Sequence, residues 1–139
     1  MIILDTNVVS EALRPARDPA VVTWLDQQVA ETLYLTAISL SELLIGIQIM
    51  PNGKRKTAIS SALEALMSRL FESRILAFDQ EAAVAYSVLI SGARAVGKSV
   101  SMPDGQIGAI ACVRGFCVAT RDVVPFHTLG VPVINPWKT

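Results

Sequence analysis

Histidine occurs once and cysteine twice in these 139 residues, which removes most of the nucleophile and soft-metal chemistry that small hydrolases use. A Ser-His-Asp arrangement or a paired-histidine zinc site would have to rest on His127 alone, in a late segment with Pro125, and that residue is expected on the surface or in a loop. Cys112 and Cys117 form a Cys-x4-Cys with no second pair, a poor zinc or redox pattern, and are expected to be two reduced, partly buried thiols. A surplus of positive charge is also missing: 12 Lys+Arg stand against 12 Asp+Glu. The chain therefore does not bind nucleic acid through a broad basic surface, and any such contact must be local. No apolar run approaches the ~18 to 20 residues of a membrane span. The start of the chain, Met1-Ile2-Ile3-Leu4-Asp5, has neither a basic n-region nor a small-residue cleavage site, so a soluble, cytoplasmic protein is expected.

What the chain has is core material, with 52% of residues hydrophobic and 17% charged. One domain with one core is expected over residues 1–139. Ile2-Ile3-Leu4 is continuously apolar, which suits a strand buried on both faces. Asp18-Pro19 opens a helix carrying Val22, Leu25 and Val29. A strand is expected at 33–37, and a helix from Ser39 with the stripe Leu40, Leu43, Leu44, Ile47. After the turn Pro51-Asn52-Gly53 come a helix through Ala62 to Leu70, a strand at 74–78, and a helix capped by Asp79 that stops at Gly97. A last helix spans about Pro103 to Arg114 and is ended by Gly115; strands follow at 117–120 and 131–134, the last placed near an edge by Pro132. This alternation predicts an α/β three-layer sandwich with a mostly parallel central sheet flanked by helices, and ligands gather at the carboxyl ends of such strands.

Four acids stand at element boundaries near that edge. Asp5 follows the first strand and is either an Asx-type cap or a site residue. Glu42 completes a capping box, Ser39-Leu40-Ser41-Glu42, yet follows the second strand closely. Asp104 is a first-turn acid, and it also shares a helix face with Ile107 and Ala111, where a carboxylate is costly without a partner. Asp122 follows the fourth strand after Thr120-Arg121. Four carboxylates on one edge repel each other unless a hard divalent cation neutralises them.

In these residues the chain resembles the PIN-domain family, and within it the VapC-type toxins of bacterial toxin-antitoxin pairs. The resemblance runs from Ile3-Leu4-Asp5-Thr6-Asn7-Val8-Val9-Ser10-Glu11 through Ser41-Glu42-Leu43 and Pro103-Asp104-Gly105-Gln106-Ile107-Gly108-Ala109 to Val118-Ala119-Thr120-Arg121-Asp122. The ending Asn135-Pro136-Trp137 is similar to that of one branch of the family. The resemblance implies a single PIN domain over 1–139 in which Asp5, Glu42, Asp104 and Asp122 hold Mg²⁺ or Mn²⁺, with Thr6, Asn7 and Thr120 as polar support. It further implies RNA cleavage, homodimerisation, inhibition by a cognate antitoxin, and a larger assembly that binds operator DNA through the antitoxin. One departure is that Val123-Val124-Pro125 follow Asp122, where many relatives have further polar or acidic residues.

The expected chemistry is metal-assisted phosphodiester hydrolysis, with Asp5 and Asp104 as principal ligands, Asp122 a ligand directly or through water, and Glu42 a ligand or general base. Arg14, Arg17, Lys54, Arg55, Lys98 and Arg121 are candidate RNA contacts; the triplet Lys54-Arg55-Lys56 reads equally as a solvated helix start. Two other readings stand beside this one. A receiver-like domain phosphorylated on Asp5 is disfavoured because haloacid-dehalogenase-type enzymes need a second acid two residues on, where Asn7 stands. The other is a catalytically weak PIN fold acting as an RNA-binding or scaffolding module.

Overall fold

A computed structural model describes all 139 residues. Five strands form one sheet in the order β3-β2-β1-β4-β5: β1 (Ile2–Leu4), β2 (Leu33–Thr36), β3 (Ile75–Leu76), β4 (Cys117–Ala119) and β5 (Val133–Ile134). Every pairing is parallel, so the expected mostly parallel sheet is entirely so. The chain builds outward from β1 to β2 and β3, then returns to the other side of β1 for β4 and β5. The order thus reverses beside β1, which is where an open α/β sheet leaves a crevice.

Alternation along the strands sends side chains to two cores. Leu4, Leu33, Leu35 and Ala119 face the layer that holds α1 (Thr6–Leu13), α2 (Pro19–Asp26), α3 (Ala37–Gln48) and α4 (Lys54–Leu66). Ile3 and Val118 face the layer of α5 (Gln80–Ala95), α6 (Met102–Arg114) and α7 (Val123–Thr128). Ile3, Leu35 and Val118 are fully buried, as the unbroken apolar run of the first strand requires. No helix is long and apolar enough to cross a membrane.

Helix ends follow local chemistry where the cap is unambiguous. Asp18 accepts from Ala20 N at 2.9 Å, Asp79 accepts from Ala82 N at 3.0 Å, and Gly115 closes α6 in the left-handed region at φ 70°. Three expectations need correction. Helix α3 begins at Ala37 with Thr36 as its cap, whose hydroxyl accepts from Ser39 N at 3.1 Å, so Ser39 is a buried first-turn residue and not the cap. Helices α1 and α7 occupy stretches read without helices, because Val8, Val9, Val123, Val124 and Pro125 are weak helix formers that tertiary burial overrides. Cys112 is exposed rather than partly buried; Cys117 is half-buried, and both are free. His127 is exposed, in α7.

Helices α5 and α6 lie close because α6 presents glycine at the contact. A Cβ on Gly105 would stand 2.8 Å from the Tyr86 ring and 2.9 Å from Ile90 Cδ1. Gly92, exposed in the middle of α5, has nothing within 4 Å of such a Cβ. Gly105→Ala should therefore lower stability by about 1 kcal/mol net, overpacking outweighing the gain in helix propensity, while Gly92→Ala should raise it by roughly 0.5–1 kcal/mol. Urea unfolding of the two variants checks this; changes of the same sign would refute the close-approach role of Gly105.

Candidate active site

Asp5 leaves β1 and caps α1, and the residue is 5% exposed. One oxygen accepts from Thr6 N at 2.8 Å; the other accepts from Thr120 Oγ1 at 2.8 Å and from Asn7 Nδ2 at 3.5 Å. Because Asp5 N donates to Ala119 O at 2.9 Å, the ends of β1 and β4 are tied by main chain and side chain together. Asn7 adds a second tie, its Nδ2 reaching Thr120 Oγ1 at 3.3 Å and its Oδ1 accepting from Arg121 N at 3.2 Å. Thr120 Oγ1 also accepts from Asp122 N at 3.0 Å, which fixes the backbone where α7 begins. Both Asp5 oxygens are thus engaged in a buried setting, which does not suit an exposed phosphoryl acceptor.

Glu42 comes from the second turn of α3. Its Oε1 accepts from Thr6 Oγ1 at 2.8 Å, so it is held by a neighbouring helix instead of closing a capping box on Ser39. Asp104 lies in the first turn of α6, where its N–H donates to Ser101 Oγ at 3.3 Å and its half-buried carboxylate has no cationic partner. Asp122 is exposed. All four acids line one cleft of about 420 Å³, together with Thr6 and Asn7.

The cleft keeps its negative charge. The protein's one ion pair is Glu11 with Arg14 at 3.3 Å, so no lysine or arginine neutralises any of the four acids. Burial, opposed by the Thr120 and Thr6 hydrogen bonds and reinforced by Asp104 and Glu42, raises the Asp5 pKa to about 6. Burial likewise raises that of Asp104, with Asp122 and Glu42 adding to it against the Ser101 bond. The side chains do not close on one point as a ready-made three-ligand metal site. They form a hard-oxygen donor set around open space, which suits a small divalent ion that keeps several waters and takes only one or two carboxylates directly.

Of the candidate RNA contacts, Arg14 and Arg121 line this cleft. Arg14 also lines an adjoining cleft of about 600 Å³ with Arg17, Lys54 and Arg55. Lys98 is in neither, and Lys56 closes its own turn through Gln48 O at 3.2 Å and Asn52 Oδ1 at 3.3 Å. Sequence reasoning assigned no site role to Glu11 and Trp137, which also line the cleft. Asn7, Glu11 and Arg14 recur at helical spacing, a signal that became legible only once α1 was known to be a helix.

The PIN-domain family model matches residues 2–129. The chain is 45% identical to the VapC ribonuclease Y4jK of Sinorhizobium fredii and 44% identical to the toxin FitB of Neisseria gonorrhoeae, with 99% of each chain covered in both cases. The crystal structure of FitAcB from Neisseria gonorrhoeae superposes with a TM-score of 0.94 at 43% identity over the full length of both chains. A structure of FitAB bound to an IR36 DNA fragment also gives 0.94, at 42% identity, covering 100% of this chain and 97% of that one.

The raised Asp5 pKa carries a sign. Its native value of about 6 lies above the ordinary 3.8, so the native state holds the proton more tightly; the resulting stability is present in full below about pH 4 and lost as pH rises through about 6. In chelator the protein should melt several degrees higher at pH 5 than at pH 8, and Asp5→Asn should remove more than half of that difference. An undiminished difference in the variant, read by scanning fluorimetry, would place the pH dependence elsewhere.

Proposed function

This chain belongs to the PIN-domain family, and on that premise we propose that it is a VapC-like endoribonuclease toxin dependent on Mg²⁺ or Mn²⁺, restrained by a cognate antitoxin. The observation that carries the reading is the cleft itself: four carboxylates from four separate elements, none of them paired with a base. A fold gains nothing in stability from such a cluster, and a bound cation is what repays it.

Asp5, Asp104 and Asp122 would hold the ion, with Glu42 as a ligand or base. When bound, the ion supplies an acidified water and charge neutralisation at the phosphate. Glu42 is fixed at Oε1 by the Thr6 hydroxyl, which leaves Oε2 to take the proton of the attacking water. Asn7 and Thr120 hold Asp5 in place and keep its charge turned into the cleft. Arg14 and Arg121 at the rim orient the RNA backbone, whose phosphates the acids alone would repel.

A toxin among the close relatives, and FitAB bound to DNA, support an antitoxin as partner and an operator-binding assembly formed through it. A homodimer is supported by α3, where Leu44, Ile45 and Ile49 are 47%, 59% and 76% exposed around a helix whose other face is already in the core. Sedimentation should show a dimer, and Ile45→Glu with Ile49→Glu should make it monomeric; a wild-type monomer at high micromolar concentration would reject that surface.

Asp104→Asn preserves shape and removes one charge. Cleavage of single-stranded RNA with Mn²⁺ should fall on the order of 10²-fold or more, while stability in chelator stays level or rises. A variant that unfolds yet keeps its specific activity would reduce Asp104 to a helix-terminus acid. Wild-type protein that binds RNA without cutting it would identify a silent PIN module.

A further inference from the structure

Arg121 lines the same cleft as Asp5, Glu42, Asp104 and Asp122 and pairs with none of them. An arginine so placed would be expected to close on an acid, since guanidinium-carboxylate pairs are among the strongest polar contacts available. Its guanidinium carbon stands instead over the Trp137 ring, 4.9 Å from the centroid. Trp137 is the one hydrophobic residue in the wall of the cleft. Its position is built in: Trp137 N donates to Asn135 Oδ1 at 3.0 Å, Pro136 beside it is buried, and the indole packs on the Leu4-side core. The backbone of Arg121 is fixed from the other side by Asn7.

We propose that Trp137 is a positioning residue that holds Arg121 off the carboxylates, keeping them free for a divalent ion and keeping the guanidinium free to receive an RNA phosphate next to the scissile bond. This rests on the ribonuclease reading above. Arg121 is exposed, and cation-π attraction at an exposed site is still sufficient to bias a flexible arginine between two stations. Without the indole face, Arg121 falls onto the acids and competes with the metal.

The test uses the full chain and two readouts. Mn²⁺ affinity is measured by calorimetry on wild type, Trp137→Phe, Trp137→Leu, Arg121→Ala and the Trp137→Leu/Arg121→Ala double variant, leucine preserving apolar packing without a π face. Trp137→Leu should weaken Mn²⁺ binding on the order of 2- to 5-fold, Trp137→Phe should stay near wild type, and the double variant should regain wild-type affinity. Equal weakening in Trp137→Leu and the double variant would overturn the proposal, because the loss would then be structural. Binding of single-stranded DNA as an uncleaved probe, in chelator, is then followed against salt. Arg121→Ala should reduce the slope of log K on log salt by about 0.7, the loss of one phosphate contact, and an unchanged slope would also overturn it. Should wild type take up no Mn²⁺, the metal-dependent reading and the holding-off of Arg121 fall together, whereas failure of the double-variant rescue with normal Mn²⁺ uptake refutes only the proposal.

Discussion

A single buried carboxylate sets the terms for the rest of this molecule. Asp5 stands where β1 ends and α1 begins, beside the point where strand order reverses, and it is out of water. A charge in that position is tolerable only with several donors aimed at it, and the chain supplies them from two distant segments, Thr6 and Asn7 on one side and Thr120 on the other. Those donors do structural work as well, because the Asp5-Thr120-Asn7 network joins the ends of β1 and β4 and sets the path into Arg121 and Asp122. The same bonds that make Asp5 affordable hold the cleft's walls at fixed spacing.

The second consequence is electrostatic. Burial has driven the Asp5 pKa up to about 6 despite those donors, so near neutrality the carboxylate is charged against a standing penalty. The protein could relieve it with a base, and two arginines are at hand. Arg14 is drawn to Glu11, a buried acid whose other oxygen has no partner, and Arg121 is drawn to an indole. Neither arginine thus neutralises the four acids. Within a chain of zero net charge the negative potential is concentrated in one cleft, and the structure gives up stability to keep it there.

How much of this was legible in the sequence follows from how local each signal is. The first strand declared itself because a run buried on both faces must be continuously apolar, and Asp18-Pro19, Asp79 and Gly115 marked helix ends because a cap is decided within a few residues. The four acids were readable as a set since Asp5 and Asp122 follow strands, Asp104 opens a helix and Glu42 lies in the second turn of the helix after β2, all at the same edge of a parallel sheet. Helix α1 was not readable, for Thr6-Asn7-Val8-Val9-Ser10 has poor helix propensity and owes its form to Asp5 and to the burial of Val8 and Val9. Missing α1 hid Glu11. Ser39 looked like a cap because Ser-x-x-Glu satisfies the local pattern, while the actual cap, Thr36, is the last residue of a strand. Trp137 was invisible as a wall residue because only the packing of the last turn on the core brings it to the cleft.

In the proposed ribonuclease the arrangement would also link metal and RNA in a definite direction. A cleft of bare carboxylates repels a phosphate backbone, so attraction must come from the rim, where Arg14 lies between the acidic cleft and a second one carrying Arg17, Lys54 and Arg55. In the proposed ribonuclease, cations at the rim would draw the strand in, and an ion among the acids would cancel the repulsion of the phosphate. Each ligand lowers the electrostatic cost of the other, and coupling of this kind is reciprocal: whatever factor the ion contributes to RNA affinity, RNA contributes to the ion's. In the proposed ribonuclease, acids spaced this openly would hold an ion more weakly without RNA than with it. An inhibitor that brought its own cation into the cleft would meet the same unpaired charge as the ion, and the two would compete.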